Sequence, residues 1–349
     1  MRVRGLGRLR RLAQPYTNFF FPGPIVLAYH RVADPASDPQ LLSVTPAHFA
    51  EHVEVLRREG YPVPLRHLTE ALQDGKTLPR GVVVTFDDGY VDNLIDAKPL
   101  LERRAVPATV FVTTAYVATG RKFWWDELEH LLLWNDDLPA ALCLSIAGKT
   151  HEWCLSGPPN GDGCGASKGR WNILEPCAPD SPQSAYRELH RLLRPLAEEE
   201  RRAVLAELHQ QVGATKAGSA GERSVALSEQ QLIALAADGL VEIGSHSVTH
   251  PLFSSLPPGA QRVEIERSKS DLEEIIGRTV RSFAYPFGAR ADYTDETAAL
   301  IAQAGYDCAC SNFTGMVESS TDRFQIPRFL VRDWDGEEFS RRLGAWLGC

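Results

Sequence analysis

No stretch of this chain approaches the ~20 consecutive apolar residues that a membrane-crossing helix needs, so no transmembrane span is read from it. A basic excess is missing as well. Lys and Arg number 37 against 45 Asp and Glu, a formal charge of -8, which argues against nucleic acid as the main partner. Neither a GxGxxG nor a Walker loop occurs, and no repeat of fixed period, so nucleotide-loop and solenoid signatures are both lacking. The seven cysteines are odd in number and scattered rather than spaced as metal knuckles, which suits a reducing compartment with mostly free thiols. What is present, 44% hydrophobic and 23% charged residues over 349 positions, is ordinary globular material for one large core or two modest ones.

The N-terminal residues 1–22 carry Arg2, Arg4, Arg8, Arg10 and Arg11 but no unbroken apolar stretch of signal-peptide length. The expected location is therefore cytoplasmic. The arginines, with Leu6, Leu9, Leu12 and Phe19 to Phe21, could rest on the anionic inner face of a membrane; a solvated tail is the plainer alternative. In "CLSIAGKTHEWC" a hairpin turning at Gly148 and Lys149 would place Cys143 opposite Cys154. A cross-strand disulfide is one reading, buried free cysteines the other.

Residues 23–349 read as one barrel domain with an insertion at about 120–223. "GPIVLAYHRV" reads as a strand, after which Thr45 and Pro46 open a helix with Phe49, Val53 and Leu56 on one face and Gly60 at its end. The run Val82 to Phe86, a polar helix in "VDNLIDAKPLLERR" and the strand "ATVFVTT" continue a βαβ rhythm, the mark of a parallel sheet. The insertion breaks that rhythm with "FWWDELEHLLLW", the hairpin, a stretch rich in Gly, Pro and Cys at 156 to 182, and charged helices. It resumes with a capping box at Ser228 and Gln231, Leu232 and Leu235 turned inward, and Gly239 as a stop. The strand "LVEIGSH" follows, then a helix to about Ile276 and the short strands of "RSFAYPFG", "GYDCACS" and "QIPRFLV". About seven parallel strands fit a closed or nearly closed α/β barrel better than an open sheet.

The chemistry is concentrated at two strand ends. "TFDDGY" sets Asp87 beside Asp88 after an apolar run. Side chains alternate along a strand, so both carboxylates reach one site only if the strand stops near Asp87, with Gly89 free to turn. Two close carboxylates push one pKa up unless a cation neutralises one of them. In "EIGSHSVTHP", His246 and His250 are four residues apart and can face one point, and Pro251 favours a tight loop over a helix there. Two histidines and one carboxylate, with open positions for water, form a catalytic zinc-type arrangement. Taken singly, DDG reads as a solvated turn and HxxxH as incidental; their joint placement at strand ends carries the metal reading.

In that order "TFDDGY", "HSVTH" and an altered "RSFAYPFG" resemble the three motifs of the polysaccharide deacetylases, carbohydrate esterase family 4, over about Ile25 to Val331. The resemblance implies a distorted (β/α)7 barrel, TIM-like, and metal-assisted removal of N-acetyl groups from an N-acetylhexosamine-containing glycan or precursor. It implies Asp87 as general base and Asp88, His246 and His250 as ligands of a divalent metal, with zinc the first expectation and cobalt or nickel the alternatives. A backbone donor for the developing oxyanion is implied in Tyr285 to Gly288, so Tyr285, Pro286 and Phe287 are candidate substrate-binding residues, with Tyr90 at the cleft. The sequence departs from the family pattern twice. Ala284 stands where an arginine orients the base, a role Arg328 or Arg281 could fill. No histidine follows His250 to act as acid, which makes His30 in "LAYHRV" a candidate donor, or else a structural histidine. Asp92 and Asn93 could line the cleft or cap a helix, and Trp124 and Trp125 could stack on sugars or pack the insertion. Glu127 and Glu129 read as an exposed helix face. A deformylase or other non-peptide amide hydrolase with the same site, and a carbohydrate-binding pseudoenzyme, are the competing functions.

Overall fold

Val82 to Phe86 is buried on both faces because it lies near the middle of a seven-stranded sheet in a computed structural model. The structure describes residues 23–76, 78, 80–135, 137–156, 171–213 and 225–348. The tail at 1–22 and its expected membrane contact, and most of the Gly, Pro and Cys-rich stretch, lie outside the described residues. No helix among the described residues is long and apolar enough to cross a membrane.

The strands in chain order are β1 (Ile25–Tyr29), β2 (Arg31–Val32), β3 (Ser43–Val44), β4 (Val82–Phe86), β5 (Ala108–Val112), β6 (Ala141–Ile146), β7 (Lys149–Cys154), β8 (Val241–Ser245), β9 (Ser282–Ala284), β10 (Cys308–Cys310) and β11 (Phe329–Leu330). The helices are α1 (Pro46–Val55), α2 (Leu65–Gln73), α3 (Lys98–Arg104), α4 (Thr114–Thr119), α5 (Trp124–Leu133), α6 (Pro182–Leu193), α7 (Glu198–Val212), α8 (Glu229–Ala236), α9 (Pro258–Ile276), α10 (Asp295–Gln303) and α11 (Gly336–Trp346).

Seven strands pair in the order β10-β9-β8-β5-β4-β1-β11, every pair parallel. The two edges then meet. Ile326, just ahead of β11, donates to Ala309 O at 2.9 Å, and Ser311 N donates back to Ile326 O at 2.8 Å. The curled sheet is thus a distorted (β/α)7 barrel.

Alternation along the strands sorts side chains into two layers. Ile25, Leu27, Val82, Val84, Val110 and Val112 face the outer helices, packing with Phe49, Leu232 and Leu300. Val26, Val83 and Phe111 face the barrel interior, which Leu65 and Leu68 of α2 help to fill. Thr85 and Asp87 continue the inward row.

Local signals formed as the residue types require. The Thr45 side chain caps α1 with Pro46 at its first turn, Ser228 and Gln231 form a reciprocal capping box on α8, and Gly277 ends α9 in left-handed backbone. The insertion builds its own apolar cluster around Trp124, Leu128, Tyr186 and Leu205.

The cysteine expectation is corrected. The hairpin turns at Ala147 and Gly148, both with positive φ (50° and 75°), the geometry of a tight two-residue hairpin turn. Cys143 therefore faces Glu152 and Cys154 faces Ala141, and both thiols are free and exposed.

Candidate active site

The inward row of β4 ends on Asp87, whose amide still pairs with Tyr29 O at 3.0 Å. Arg328, two positions after the Ile326 closure, donates Nη1 to Asp87 Oδ1 at 2.7 Å and Nη2 to Oδ2 at 2.6 Å. Two further donors go to Thr85 Oγ1 (3.1 Å) and Ser311 O (2.7 Å), so each nitrogen of a fully buried guanidinium is hydrogen-bonded. Burial pushes the Asp87 carboxyl up, but the charge of Arg328 and its hydrogen bonds overcome it and hold the group at about 2. Arg281, the other arginine considered for this place, pairs with Asp307 on an exposed face instead.

Asp88 would point outward if the strand continued. It adopts left-handed backbone (φ 72°), as does Gly89 (φ 81°), and this reversal brings its carboxylate to the same end of the barrel as Asp87. A side chain at Gly89 would press on Val112, a Cβ falling 3.1 Å from its Cγ2. Asp88 Oδ1 lies 3.6 Å from His246 Nε2 and 3.5 Å from His250 Nε2. These separations are too long for hydrogen bonds, and the oxygen is buried with no partner. They suit ligand atoms about 2 Å from a shared ion, which sit roughly 3–4 Å from one another. The triangle of Asp88, His246 and His250 therefore fits a divalent cation.

Two neighbours fix the imidazoles. His246 Nδ1 donates to Ala284 O at 2.8 Å, leaving Nε2 as the lone-pair nitrogen. The loop to His250 passes through left-handed Ser247 (φ 67°) and His250 itself (φ 56°). Glu264 on α9 accepts from Val248 N (2.8 Å), Thr249 N (2.9 Å) and Thr249 Oγ1 (2.8 Å), pinning that loop. Burial lowers both imidazoles below the usual range, so they stay neutral. Burial, then the charge of Asp87, raises Asp88 well above the usual carboxylate range, an arrangement that a bound cation would reverse.

The triangle opens on a cleft of about 440 Å³. His30 lines it beside Asp87, with burial lowering its pKa to about 4 against the opposing pull of Asp87. Asn93 lies behind the cleft wall, donating Nδ2 to His30 O at 2.9 Å, while Asp92 binds Arg31 and the Val32 amide. Phe287 is on the wall, its ring edge-on to His250 at 4.7 Å. The two tryptophans divide the roles expected of them. Trp125 lines the cleft against His250, whereas Trp124 packs the insertion against His190.

Three placements differ from the sequence reading. Tyr90 is buried behind the cleft, its hydroxyl donating to Asp126 at 2.9 Å and accepting from Trp125 Nε1 at 2.8 Å. Tyr285 is also buried, stacked on Tyr293 and donating to Phe324 O, and Pro286 is buried beside it. Alternation explains both tyrosines: the turn that brings Asp88 inward sends Tyr90 toward the insertion, and Tyr285 continues the outward row of β9. Glu127 and Glu129 are half-buried, Glu127 binding Arg202 at 2.8 Å and Glu129 accepting from Trp134. Unforeseen in the sequence are His190, Arg191, Arg194, Asp292 and Arg332, all on the cleft.

The family model for polysaccharide deacetylases matches residues 74–133 and 182–309. The chain belongs to the polysaccharide deacetylase family. Its two matched blocks contain both motif pairs, Asp87 with Asp88 and His246 with His250, and the gap between them spans the hairpin. The chain is 32% identical over 140 residues to the poly-beta-1,6-N-acetyl-D-glucosamine N-deacetylase of Escherichia coli (strain K12), covering 38% of this chain and only 21% of that protein's length. Among solved structures, this family member resembles the Streptococcus pyogenes deacetylase PplD in complex with acetate, with a TM-score of 0.56 at 16% identity over 93% of this chain and 99% of that one. IcaB from Ammonifex degensii gives 0.55 at 20% identity, over 94% and 97%. Both structural likenesses concern the fold.

Proposed function

We propose that this chain is a divalent-metal-dependent hydrolase that removes N-acetyl groups from an N-acetylhexosamine in a glycan or glycan precursor. The observation that carries the reading is the buried triangle of Asp88, His246 and His250 with an Arg328-clamped Asp87 beside it. Membership of the family and the named activity of the E. coli relative support it.

Asp88, His246 and His250 would hold the cation, with zinc favoured by the ligand set and cobalt or nickel the alternatives. A divalent cation there supplies Lewis acidity, polarising an amide carbonyl and acidifying water. Asp87 is ionised at any working pH and accepts the proton of the attacking water. Arg328 trades some of that carboxylate's basicity for a fixed orientation. We assign the developing oxyanion to the Phe287 amide, in left-handed backbone on the cleft wall. His30 is neutral at rest and donates to the leaving amine only once protonated, a step that the adjacent Asp87 charge favours.

The test is acetate release from N-acetylglucosamine oligomers by metal-loaded protein, beside Asp87→Asn. Release that is lost in the variant, with about one metal equivalent bound to both proteins, is expected. Formate release from formylated sugars without acetate release would overturn the reading.

A further inference from the structure

The cleft beyond the metal triangle carries positive charge that amide hydrolysis does not use. Arg191 and Arg194 come from the end of α6 and the residue following it, and Arg332 comes from just past β11. Apart from Asp87 and Asp88, the lining holds one carboxylate, Asp292, which binds Arg194 Nη2 at 2.6 Å. Arg332 donates to the carbonyls of Gln40 (3.2 Å) and Leu41 and, among the described residues, feels the charge of Asp38 without an ion pair to it. Among the described residues Arg191 pairs with Glu188, at 3.8 Å on an exposed helix face, where such a pair is worth little. Arg328 cancels Asp87 and a cation would cancel Asp88, so the lining sets three guanidinium groups against one carboxylate, Asp292, which is paired with Arg194, in a chain of net charge -8.

Position gives this charge a target. Arg194 lies over the Phe287 ring at 4.3 Å, and that ring meets His250 at 4.7 Å. A group held at Arg194 would sit across the Phe287 ring from His250 of the metal triangle, with Arg191 and Arg332 on the same cleft. Guanidinium forks match carboxylate and phosphate oxygens, and a cleft lined by one sign of charge concentrates the opposite sign.

Resting on the deacetylase reading, we propose that the substrate carries an oxyanion, a phosphate ester or a carboxylate, next to the acetamido sugar, and that Arg191, Arg194 and Arg332 bind it. A neutral polymer lacks that contact, and glucosamine units beside the reacting sugar are repelled.

The test uses metal-loaded full-length protein and three probes: chitotetraose (neutral), a hyaluronan tetrasaccharide (carboxylates) and UDP-N-acetylglucosamine (phosphates). Calorimetric Kd and acetate release are measured at low and high salt. At least one anionic probe is expected to bind about tenfold more tightly than chitotetraose at low salt, with the gap narrowing at high salt. The Arg191→Ala/Arg332→Ala double variant is expected to bring that ratio close to one at unchanged metal content and circular dichroism. Whichever anionic probe is preferred identifies the source of the oxyanion. Equal binding of all three probes overturns the proposal, as does a preference that survives in a folded double variant. Arginine-dependent anion binding without acetate release supports the anion site and removes the deacetylase reading; acetate release without anion preference does the reverse.

Discussion

Arg328 grips Asp87 by both carboxylate oxygens, at 2.7 and 2.6 Å, from a point 241 residues away in the chain. Where the family pattern places an arginine within the third motif, this chain has Ala284 and supplies the guanidinium from the residue just before β11, the strand beside β1. Removing one member of a buried pair leaves an uncompensated charge, at a cost of about 3–5 kcal/mol. Arg328→Ala is therefore expected to lower Tm sharply, and Arg328→Lys, which keeps the charge but not the fork, to lose activity more than stability. Thermal melts beside kcat for the two variants check this.

The same pair predicts a pH response. The folded-state pKa of Asp87 is depressed to about 2, below the ordinary carboxylate value of about 3.9. Its contribution to stability is thus fully present above the unfolded pKa and lost as pH falls toward 2. In Arg328→Lys, where the folded pKa is less depressed, that loss should be smaller and complete at higher pH. Urea midpoints measured between about pH 2 and 5 should show the wild type holding its advantage furthest into acid.

Metal binding should release a proton. Without a cation, Asp88 is held well above the usual range by burial and by Asp87, so its carboxyl keeps a proton to higher pH than an ordinary carboxylate does, whereas burial lowers His246 and His250. Titrating zinc into apoprotein in two buffers of different ionisation enthalpy should report proton release that grows as pH falls, and less of it in Asp88→Asn.

Glu264 touches no reacting atom, yet it holds the His246–His250 loop by three hydrogen bonds. Glu264→Ala should weaken zinc affinity by about 10–100-fold, and Glu264→Gln should recover part of it. Competition with a chelator separates this positioning role from a folding defect, which would lower Tm without that graded rescue.

His30 lines the cleft together with Asp87, whose charge acts on it. If it delivers the proton to the leaving amine, His30→Ala should cut kcat by about 10²–10⁴-fold with metal content unchanged. An unchanged kcat would assign it a structural role.

Much of this site was legible because its parts lie within short stretches: Asp87 with Asp88, and His246 with His250, each sit at the end of an apolar run whose type sets the strand. The capping box at Ser228 and Gln231 was readable for the same reason, each residue's partner being three positions away. Long-range pairings were not. Two arginines were candidates for Asp87, and only the closure of the barrel at Cys310 and Ile326 brings Arg328 rather than Arg281 to it. The cysteine register failed on one residue, because alanine is a poor guide to a left-handed turn and Ala147 adopts one. Arg191, Arg194 and Arg332 carried no motif. They read as ordinary surface charge until the insertion folds back over the barrel mouth.

Asp88, Ser247, His250 and Phe287 all carry side chains in left-handed backbone, a conformation costing of order 1–3 kcal/mol at each such position. Laboratory evolution for heat resistance alone would find relief at these places first, since glycine or asparagine fits that backbone more easily. Two of them are proposed metal ligands and one is the proposed oxyanion donor. The quickest route to a sturdier protein therefore runs through its active site, and a thermostabilising campaign should hold these four codons fixed while it searches the helices outside.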